Sequence, residues 1–308
     1  MSTAPAALAR TGWASIVRDY SELIKLRITS LIVMTAWTGF YFGAQKLGVT
    51  SLSWTLLHAL LGIGLVSGGT AAMNEVVERD ADALMRRTAH RPLPAGRMSL
   101  GHATAVALAM VAGGAAYLAL TTNVLTGALS LATAVVYLGA YTPLKKISPI
   151  CTFVGAFPGA MPPVLGWTAI RGGFDREALV LFAIVFLWQF PHFLSIAWLY
   201  REDYERAAIR MRPVVERDGK WTVREILAYS LVLVPMSLAP SLLGMSGRIY
   251  LAGALLLSSA LLACGVRLAA LHQAPATAKS KLRARQLLQA TVFYLPLLFA
   301  LMMLNVAL

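Results

Sequence analysis

Nine apolar runs, each close to the length of a membrane span, dominate this chain. A helix needs roughly 20 apolar residues to cross the hydrocarbon core of a bilayer. The runs lie at about 29–45, 54–74, 100–120, 122–141, 149–169, 178–199, 223–244, 249–271 and 287–307. With 58% hydrophobic and 13% charged residues, the chain has more apolar surface than one soluble core needs. We therefore predict an all-α fold, a polytopic membrane bundle of nine transmembrane helices forming a single domain over residues 1–308.

The basic residues predict the orientation of this bundle. Of the 27 Lys and Arg residues, all but four fall in the N-terminal segment or in the loops that follow the second, fourth, sixth and eighth runs. The four are Lys46, Arg171, Arg176 and Arg248. Short loops rich in Lys and Arg lie on the cytoplasmic side, so we expect a cytoplasmic N-terminus and a C-terminus outside. The formal charge of +13 is thereby explained by topology, and no nucleic-acid partner is expected.

The first 28 residues are expected to form a cytoplasmic or interfacial N-terminal segment. Residues 19–27 mix charged residues with Leu and Ile, as an interfacial helix does before it enters the bilayer. The first apolar run lacks an evident cleavage site, so we interpret it as a retained span. Asp19 and Glu22 differ from the acid-poor composition of a mitochondrial presequence, which favours a bacterial inner (plasma) membrane.

The second run ends in a segment that carries acid chemistry to the membrane surface. Asn74, Glu78 and Asp82 are spaced by four residues, and each step advances by about 40° around a helix. They therefore share one face. Oxygen ligands suit Mg²⁺, which completes its coordination shell with waters and substrate phosphates. Arg87 and Arg91 follow, and guanidinium groups suit phosphate oxygens.

Two further charged segments are expected on the same side. Asp203, after the sixth run, is a candidate ligand of a second metal ion, while Glu202 points elsewhere on a helix and is expected to pair with Arg206. Lys145 and Lys146, between the fourth and fifth runs, are candidates for binding a diphosphate. The similar acidic loops after runs two and six suggest two halves around a central cavity that opens to the cytoplasmic side.

The sixth run contains polar residues in an apolar setting. Gln189 and His192 flank Pro191, and polar groups at this depth usually face the protein interior and mark function. His192 is a candidate ligand contact or general base. The alternative is that Gln189 and His192 bind the backbone groups that Pro191 leaves free. A carrier or channel, in which His192 and the acids line a cation path, also fits these residues.

Several motifs in order give a resemblance to a known family. The first reads Asn74-x3-Glu78-x-Asp80-x-Asp82, and the later ones are Tyr141-Thr142-Pro143-Leu144-Lys145, Pro162-Pro163-x2-Gly166-Trp167 and Trp188-Gln189-x-Pro191-His192-Phe193, followed by Asp203-Tyr204. Together they resemble the UbiA-type intramembrane prenyltransferases, and more narrowly the protohaem IX farnesyltransferase branch. In that branch an Asp often stands at the position of Glu78 and a Leu at that of Arg212.

The resemblance implies a reaction and its ligands. Farnesyl diphosphate would be the donor and a vinyl group of haem B the acceptor, with water added to give haem O. Mg²⁺ would be held by Asn74, Glu78, Asp82 and Asp203. Diphosphate and substrate would contact Arg87, Arg91, Tyr141, Lys145, Lys146 and Gln189, and His192 would contact haem through its iron or a propionate. A quinone-precursor prenyltransferase is the alternative enzyme. No protein partner in haem processing or oxidase assembly is identified by the sequence.

Overall fold

The structure, a computed structural model, describes residues 12–307. The helices are α1 (Trp13–Leu23), α2 (Leu26–Leu47), α3 (Trp54–Leu84), α4 (Leu100–Thr121), α5 (Val124–Val136), α6 (Thr142–Leu144), α7 (Cys151–Arg171), α8 (Arg176–Leu199), α9 (Arg201–Arg206), α10 (Arg212–Val215), α11 (Lys220–Leu242), α12 (Arg248–Ala269) and α13 (Ala278–Leu304). A π-helical turn at Tyr137–Tyr141 joins α5 to α6. Residues 1–11 of the predicted N-terminal segment lie outside the described residues.

The predicted membrane spans fall on these helices. Within residues 12–307, eight helical segments are each long and apolar enough to cross a bilayer. A ninth is obtained when α1 and α2, which meet at an angle of 56°, are counted as one bent span. The all-α membrane bundle expected from the sequence is confirmed. The central cavity stays a prediction.

Glycines allow α2 and α7 to pack with their backbones nearly in contact. A Cβ atom on Gly39 would lie 1.8 Å from the carbonyl oxygen of Pro163, and one on Gly166 would lie 1.8 Å from that of Ala36. Small residues permit this approach in membranes, where helices associate through packing rather than through the hydrophobic effect. α7 contains three prolines and is nevertheless one continuous helix. Its close contact with α2 holds it in place in the bundle.

α8 lies at the centre of the second half of the bundle, where it packs against α7, α11 and α13. Its fully buried Trp198 donates from Nε1 to Ser280 Oγ on α13 at 2.8 Å. Such a bond gives the buried indole N–H its acceptor. The bond fixes α8 against α13, and with it the orientation of Gln189 and His192 on α8.

The segments that carry the charged motifs meet at one end of the bundle, which we call the motif end: α1 and residues 74–99, 145–150 and 200–219. The Arg206 Nε donates to the carbonyl oxygen of Leu84 at 3.2 Å. The backbone N–H of Arg210 donates to the carbonyl oxygen of Lys145 at 2.6 Å. These two bonds connect the segments that follow α3, α6 and α8, which are far apart in sequence.

α1 joins the motif end through ion pairs. Arg97 contacts Asp19 at 2.9 Å and Glu22 at 3.0 Å. Trp13 and Val17 are largely exposed. The helix expected around residues 19–27 is present, although the chain turns sharply at Lys25, and its location at the membrane interface stays a prediction.

Candidate active site

The three oxygen-bearing residues of α3 lie at the motif end, and two of them are in direct contact. Asn74 Nδ2 donates to Glu78 Oε2 at 2.9 Å. Asn74 and Asp82 are buried, with 1% and 2% of their surface exposed. The four-residue spacing thus produces the close arrangement expected on one helix face.

Three cations from three separate segments surround this face. Lys145 Nζ lies 2.8 Å and 3.0 Å from the two carboxylate oxygens of Glu78. Arg91 contacts Asp82 Oδ2 at 2.6 Å. Lys25 Nζ donates to Asn74 Oδ1 at 2.7 Å. Each oxygen-bearing group of the face therefore has a cationic partner that is held by a different part of the chain.

Lys25 was missed by the sequence analysis as a site residue. It stands at the bend between α1 and α2, with a φ of 49° in the left-handed region. A non-glycine residue in this region is uncommon and carries strain. Only the bend directs its side chain toward Asn74, and a single lysine before an apolar run gives no signal of such a bend.

Lys145 is further fixed by two tyrosine rings. Its Nζ lies 4.4 Å from the ring centroid of Tyr141 and 5.9 Å from that of Tyr137, distances typical of cation–π contacts. Burial opposes the charge on Lys145, but the oxygens of Tyr141, Tyr137 and Glu78 outweigh this effect and raise the pKa of Lys145. Its ammonium group therefore stays charged at neutral pH.

The π-helical turn that carries Tyr141 lies just before Pro143, and the backbone N–H of Thr142 donates to the Tyr137 carbonyl in it. Pro143 lacks an N–H, so the carbonyl of Gly139 loses its helical donor. Thr142 Oγ1 donates to the Tyr137 carbonyl at 2.9 Å and also lies 3.4 Å from Asn74 Nδ2. Turns of this type are frequent at functional sites. Thr142 is thus a second contact of Asn74 that sequence reasoning missed.

The remaining predicted phosphate-binding residues lie outside this cluster. Lys146 is exposed, next to the half-buried Lys145. Arg87 is also exposed, and its guanidinium carbon lies 5.4 Å from the ring centroid of Tyr200. Their roles in binding stay predictions.

The second acidic segment differs from the expected pairing. Asp203 is buried and is the residue that pairs with Arg206, while Glu202 contacts Lys281 at 2.8 Å. The prediction that Glu202 pairs with Arg206 is wrong. α9 is only six residues long, and Arg206 lies on its inner side because its Nε also binds the end of α3.

One apolar cluster contains residues from both acidic segments. Met85 and Leu144 pack in it with Phe193 and with Tyr204, which follows Asp203. The cluster also includes Tyr141. Both sets of acids thus border one apolar wall at the motif end.

The described residues, 12–307, contain no group of three or more His, Cys, Asp or Glu side chains placed to hold a metal ion. The metal-binding roles of Asn74, Glu78, Asp82 and Asp203 therefore stay predictions.

Gln189 and His192 make contacts that sequence reasoning did not foresee. Gln189 Nε2 donates to the carbonyl oxygens of Ala156 at 3.0 Å and Val185 at 3.3 Å, and so ties α8 to α7. The Nδ1 atom of His192 is 2.9 Å from Thr291 Oγ1 on α13. Among the hydrogen bonds of residues 12–307, neither side chain binds the carbonyl of Leu187 that Pro191 leaves free. The alternative that they serve as caps for it is wrong.

Glu75 is a buried acid that the sequence analysis passed over. It is fully buried, and its Oε1 accepts from the backbone N–H of Leu93 at 3.2 Å. The bond fixes the segment that follows α3, which includes Arg91. Its position directly after Asn74, about 100° around the helix, was the available signal.

Comparison with known proteins identifies the family. The model of the UbiA prenyltransferase family matches residues 32–294. The chain belongs to this family. It is therefore a membrane prenyltransferase, and the carrier or channel alternative is not supported.

The relatives place the chain within the family. It is 65% identical over 303 residues to a protoheme IX farnesyltransferase of Koribacter versatilis (strain Ellin345), covering 98% of both chains. It is 48% identical to a protein of the same description from Solibacter usitatus (strain Ellin6076), covering 94% of this chain and 99% of the relative. The branch expected from the motifs is confirmed by these similarities.

Solved structures share the fold. A structure described for digeranylgeranylglyceryl phosphate synthase matches with a TM-score of 0.75 at 16% identity, covering 94% of this chain and 98% of that one. A UbiA homologue from Archaeoglobus fulgidus, bound to DMAPP and Mg²⁺, matches with a TM-score of 0.58 at 18% identity, covering 92% and 99%. At these identities the likeness shows the fold alone.

Proposed function

We propose that this protein transfers the farnesyl group of farnesyl diphosphate to a vinyl group of haem B, with addition of water, and so forms haem O. The observation that carries the proposal is the oxygen face of Asn74, Glu78 and Asp82 with its ring of cations. Support for the substrates comes from the relatives described as protoheme IX farnesyltransferases.

The donor set of this face fits Mg²⁺. Two carboxylates and one amide oxygen are hard ligands, and Mg²⁺ in proteins usually takes one or two carboxylates together with waters and substrate phosphates. When bound, Mg²⁺ would withdraw charge from the leaving diphosphate. Asn74, Glu78 and Asp82 would hold one ion, and Asp203 is proposed to hold a second.

The cations of the site have a second role once a diphosphate is present. Lys145 and Arg91 pair with Glu78 and Asp82 in the structure, and a metal at those carboxylates would compete for the same oxygens. Lys145 and Arg91 would then turn to the diphosphate oxygens, joined by Arg87. Charge developing on the leaving group is thus met by groups that are already in place, which lowers the barrier to ionisation.

The apolar wall protects the cation that ionisation produces. Met85, Leu144 and Phe193 pack in one cluster with Tyr141, whose ring contacts Lys145. An allylic cation needs such surroundings because water would otherwise quench it before it meets the acceptor. Burial also favours the isoprenoid chain by about 0.8 kcal/mol per CH₂ group.

His192 is proposed to contact the haem, through its iron or a propionate. Thr291 engages the Nδ1 atom of His192, which leaves Nε2 for such a contact. Stacking on Trp188, with ring centroids 4.7 Å apart, fixes the orientation of the imidazole.

We place the protein in a bacterial inner membrane as a single domain with its motif end at the cytoplasmic face. The N-terminus would then be cytoplasmic and the C-terminus outside. The Lys and Arg residues of the loops at the motif end support this orientation.

The test is a reaction of the purified protein with haem B, farnesyl diphosphate and Mg²⁺, analysed by chromatography. We expect haem O, and no product when Mg²⁺ is removed by a chelator. Unreacted haem together with prenylated hydroxybenzoate, in a parallel reaction, would contradict the proposal and assign the protein to quinone-precursor synthesis.

A further inference from the structure

A cavity lies beside α8, and the residues of the charged cluster do not line it. It has a volume of about 320 Å³ and is lined by Ser148, Thr152, Phe190, Arg212, Glu225 and Tyr229, among others. A volume of this size is at the lower end for pockets that bind small molecules. The cavity is half open, so it can take one edge of a larger ligand.

The cavity and the candidate active site share a wall. Cys151 packs in the apolar cluster that contains residues from both acidic segments, and the next residue, Thr152, lines the cavity. Arg210, two residues before Arg212, donates its backbone N–H to Lys145 O at 2.6 Å. A ligand in the cavity would therefore lie next to the site of chemistry without occupying it.

Two buried donors in this cavity have no acceptor within residues 12–307. Thr152 Oγ1 and Arg212 Nε are both buried, and neither has a hydrogen-bond partner in that part of the chain. Arg212 uses Nη2 to bind Glu225 Oε1 at 2.7 Å, so its Nε remains for another acceptor. Buried polar groups normally have partners, and an unpaired one costs free energy. Both residues line the same cavity, and a guanidinium N–H and a hydroxyl are donors that suit a carboxylate oxygen.

The other side of the cavity is aromatic. The rings of Phe190 and Tyr229 are parallel, with centroids 3.5 Å apart and an interplanar angle of 2°. Phe153 lies at the rim with 42% of its surface exposed, and the line of rings continues along α8 through Phe186, four residues before Phe190. Flat aromatic rings of this kind suit a planar, conjugated molecule.

We propose that this cavity docks the carboxylate end of the porphyrin acceptor before transfer, with Arg212 Nε and Thr152 Oγ1 donating to one propionate and the aromatic rings contacting the macrocycle. The inference rests on the proposed function, because it takes haem as the acceptor. It adds a binding site lined by residues of α7, α8 and α11, and neither the charged cluster nor His192 belongs to that lining.

The test measures porphyrin binding without farnesyl diphosphate. The protein is placed in phosphatidylcholine nanodiscs, and quenching of tryptophan fluorescence is titrated with protoporphyrin IX and with its dimethyl ester, which lacks free carboxylates. We expect the free acid to bind about tenfold more tightly than the ester, because a hydrogen-bonded charge contributes at least that much. Arg212→Leu is expected to remove this difference.

Two further variants sharpen the result. Glu225→Gln leaves Arg212 without its competing carboxylate, so the free acid should bind more tightly than to the wild type. Arg217→Leu is the matched control, since Arg217 is an exposed arginine of the same loop that does not line the cavity, and it should bind as the wild type does. Equal affinity of Arg212→Leu and wild type for the free acid would overturn the proposal.

A bound lipid is the competing occupant. If native mass spectrometry shows that Arg212→Leu loses phosphatidylglycerol while its porphyrin affinity is unchanged, the cavity is a lipid site and the proposal is wrong. In turnover, Arg212→Leu should raise KM for haem without lowering kcat. Haem O formation with an unchanged KM would refute the docking site alone. Carboxylate-dependent porphyrin binding without haem O formation would refute the proposed function alone.

Discussion

Both ends of the bundle bury ion pairs, yet their arrangements differ. At the motif end, Glu78 pairs with Lys145 and Asp82 with Arg91. At the opposite end, Lys46 lies 2.7 Å from Glu177 and 3.6 Å from Asp175. At the motif end, Glu78 and Asp82 both lie on α3 and their cationic partners come from distant segments. At the opposite end, Asp175 and Glu177 are two residues apart and share Lys46.

The contacts of the opposite end close a turn. Asp175 accepts from Arg171 Nε and from Trp167 Nε1, both at 3.0 Å, across the loop between α7 and α8. Slight burial opposes the charge on Asp175, but the bonds from Arg171 and Trp167 and the nearby Lys46 outweigh it and lower its pKa. At the motif end, the proposed function requires Lys145 and Arg91 to leave their acids for a diphosphate. At the opposite end, the ion pairs hold one turn together and serve the structure alone.

The largest effect should follow from removing the charge of Asp82. Asp82→Asn is expected to lower kcat for haem O about a thousandfold, because charge developing on the diphosphate loses a group that holds its counter-ion. Asp80→Asn is the matched control, since the side chain of Asp80 is 86% exposed and pairs with its neighbour Arg79. Equal losses in both variants would show that the α3 face has no special role.

Lys145 offers a comparison between neighbouring lysines. Lys145→Met should lower kcat/KM for farnesyl diphosphate about a hundredfold, because a half-buried ammonium beside the leaving group is lost. Lys146→Met should change it less than twofold, since Lys146 is exposed. Steady-state kinetics with varied farnesyl diphosphate measures both. A larger loss from Lys146→Met would reverse the assignment.

A smaller effect is expected at the second acidic segment. Asp203→Asn should reduce turnover about tenfold, in line with the loss of one charge-assisted contact. Glu202→Gln, which changes an acid paired with Lys281 at the surface, should leave turnover unchanged. The assay is haem O formation at saturating Mg²⁺, and a wild-type rate for Asp203→Asn would remove the second metal ligand from the proposal.

The opposite end should respond in stability and not in turnover. Glu177→Gln leaves Lys46 with a weaker partner, Asp175, and is expected to lower the free energy of unfolding by about 1–2 kcal/mol. Lys46 is partly exposed, which keeps the cost below that of a fully buried charge. Denaturation in detergent with a graded denaturant measures it. A loss of kcat in the folded variant would contradict a purely structural role.

The sequence was sufficient for the spans and for the α3 face because both depend on short-range periodicity. Apolar runs of one span length have few alternatives in a bilayer, and four-residue spacing on a helix brings Asn74 next to Glu78. Motifs in order also led to the correct family.

The missed features depend on backbone geometry or tertiary contacts. Lys25 reaches Asn74 only because α1 and α2 meet at a bend. The π turn that carries Tyr141 lies before Pro143 and has no periodic signal in the sequence. Arg206 pairs with Asp203 and not with Glu202 because it also binds the end of α3. Such choices are made by segments distant in sequence.

The most direct test of the account is metal-dependent binding of a non-reactive farnesyl thiolodiphosphate, measured by calorimetry in nanodiscs. The wild type should bind the analogue tightly with Mg²⁺ and at least a hundredfold more weakly after chelation, as expected when a leaving group is held through metal ions. The combined variant Asn74→Leu, Glu78→Gln and Asp82→Asn should lose the Mg²⁺ dependence. Retention of Mg²⁺-dependent binding by this folded variant would contradict the assignment of the α3 face.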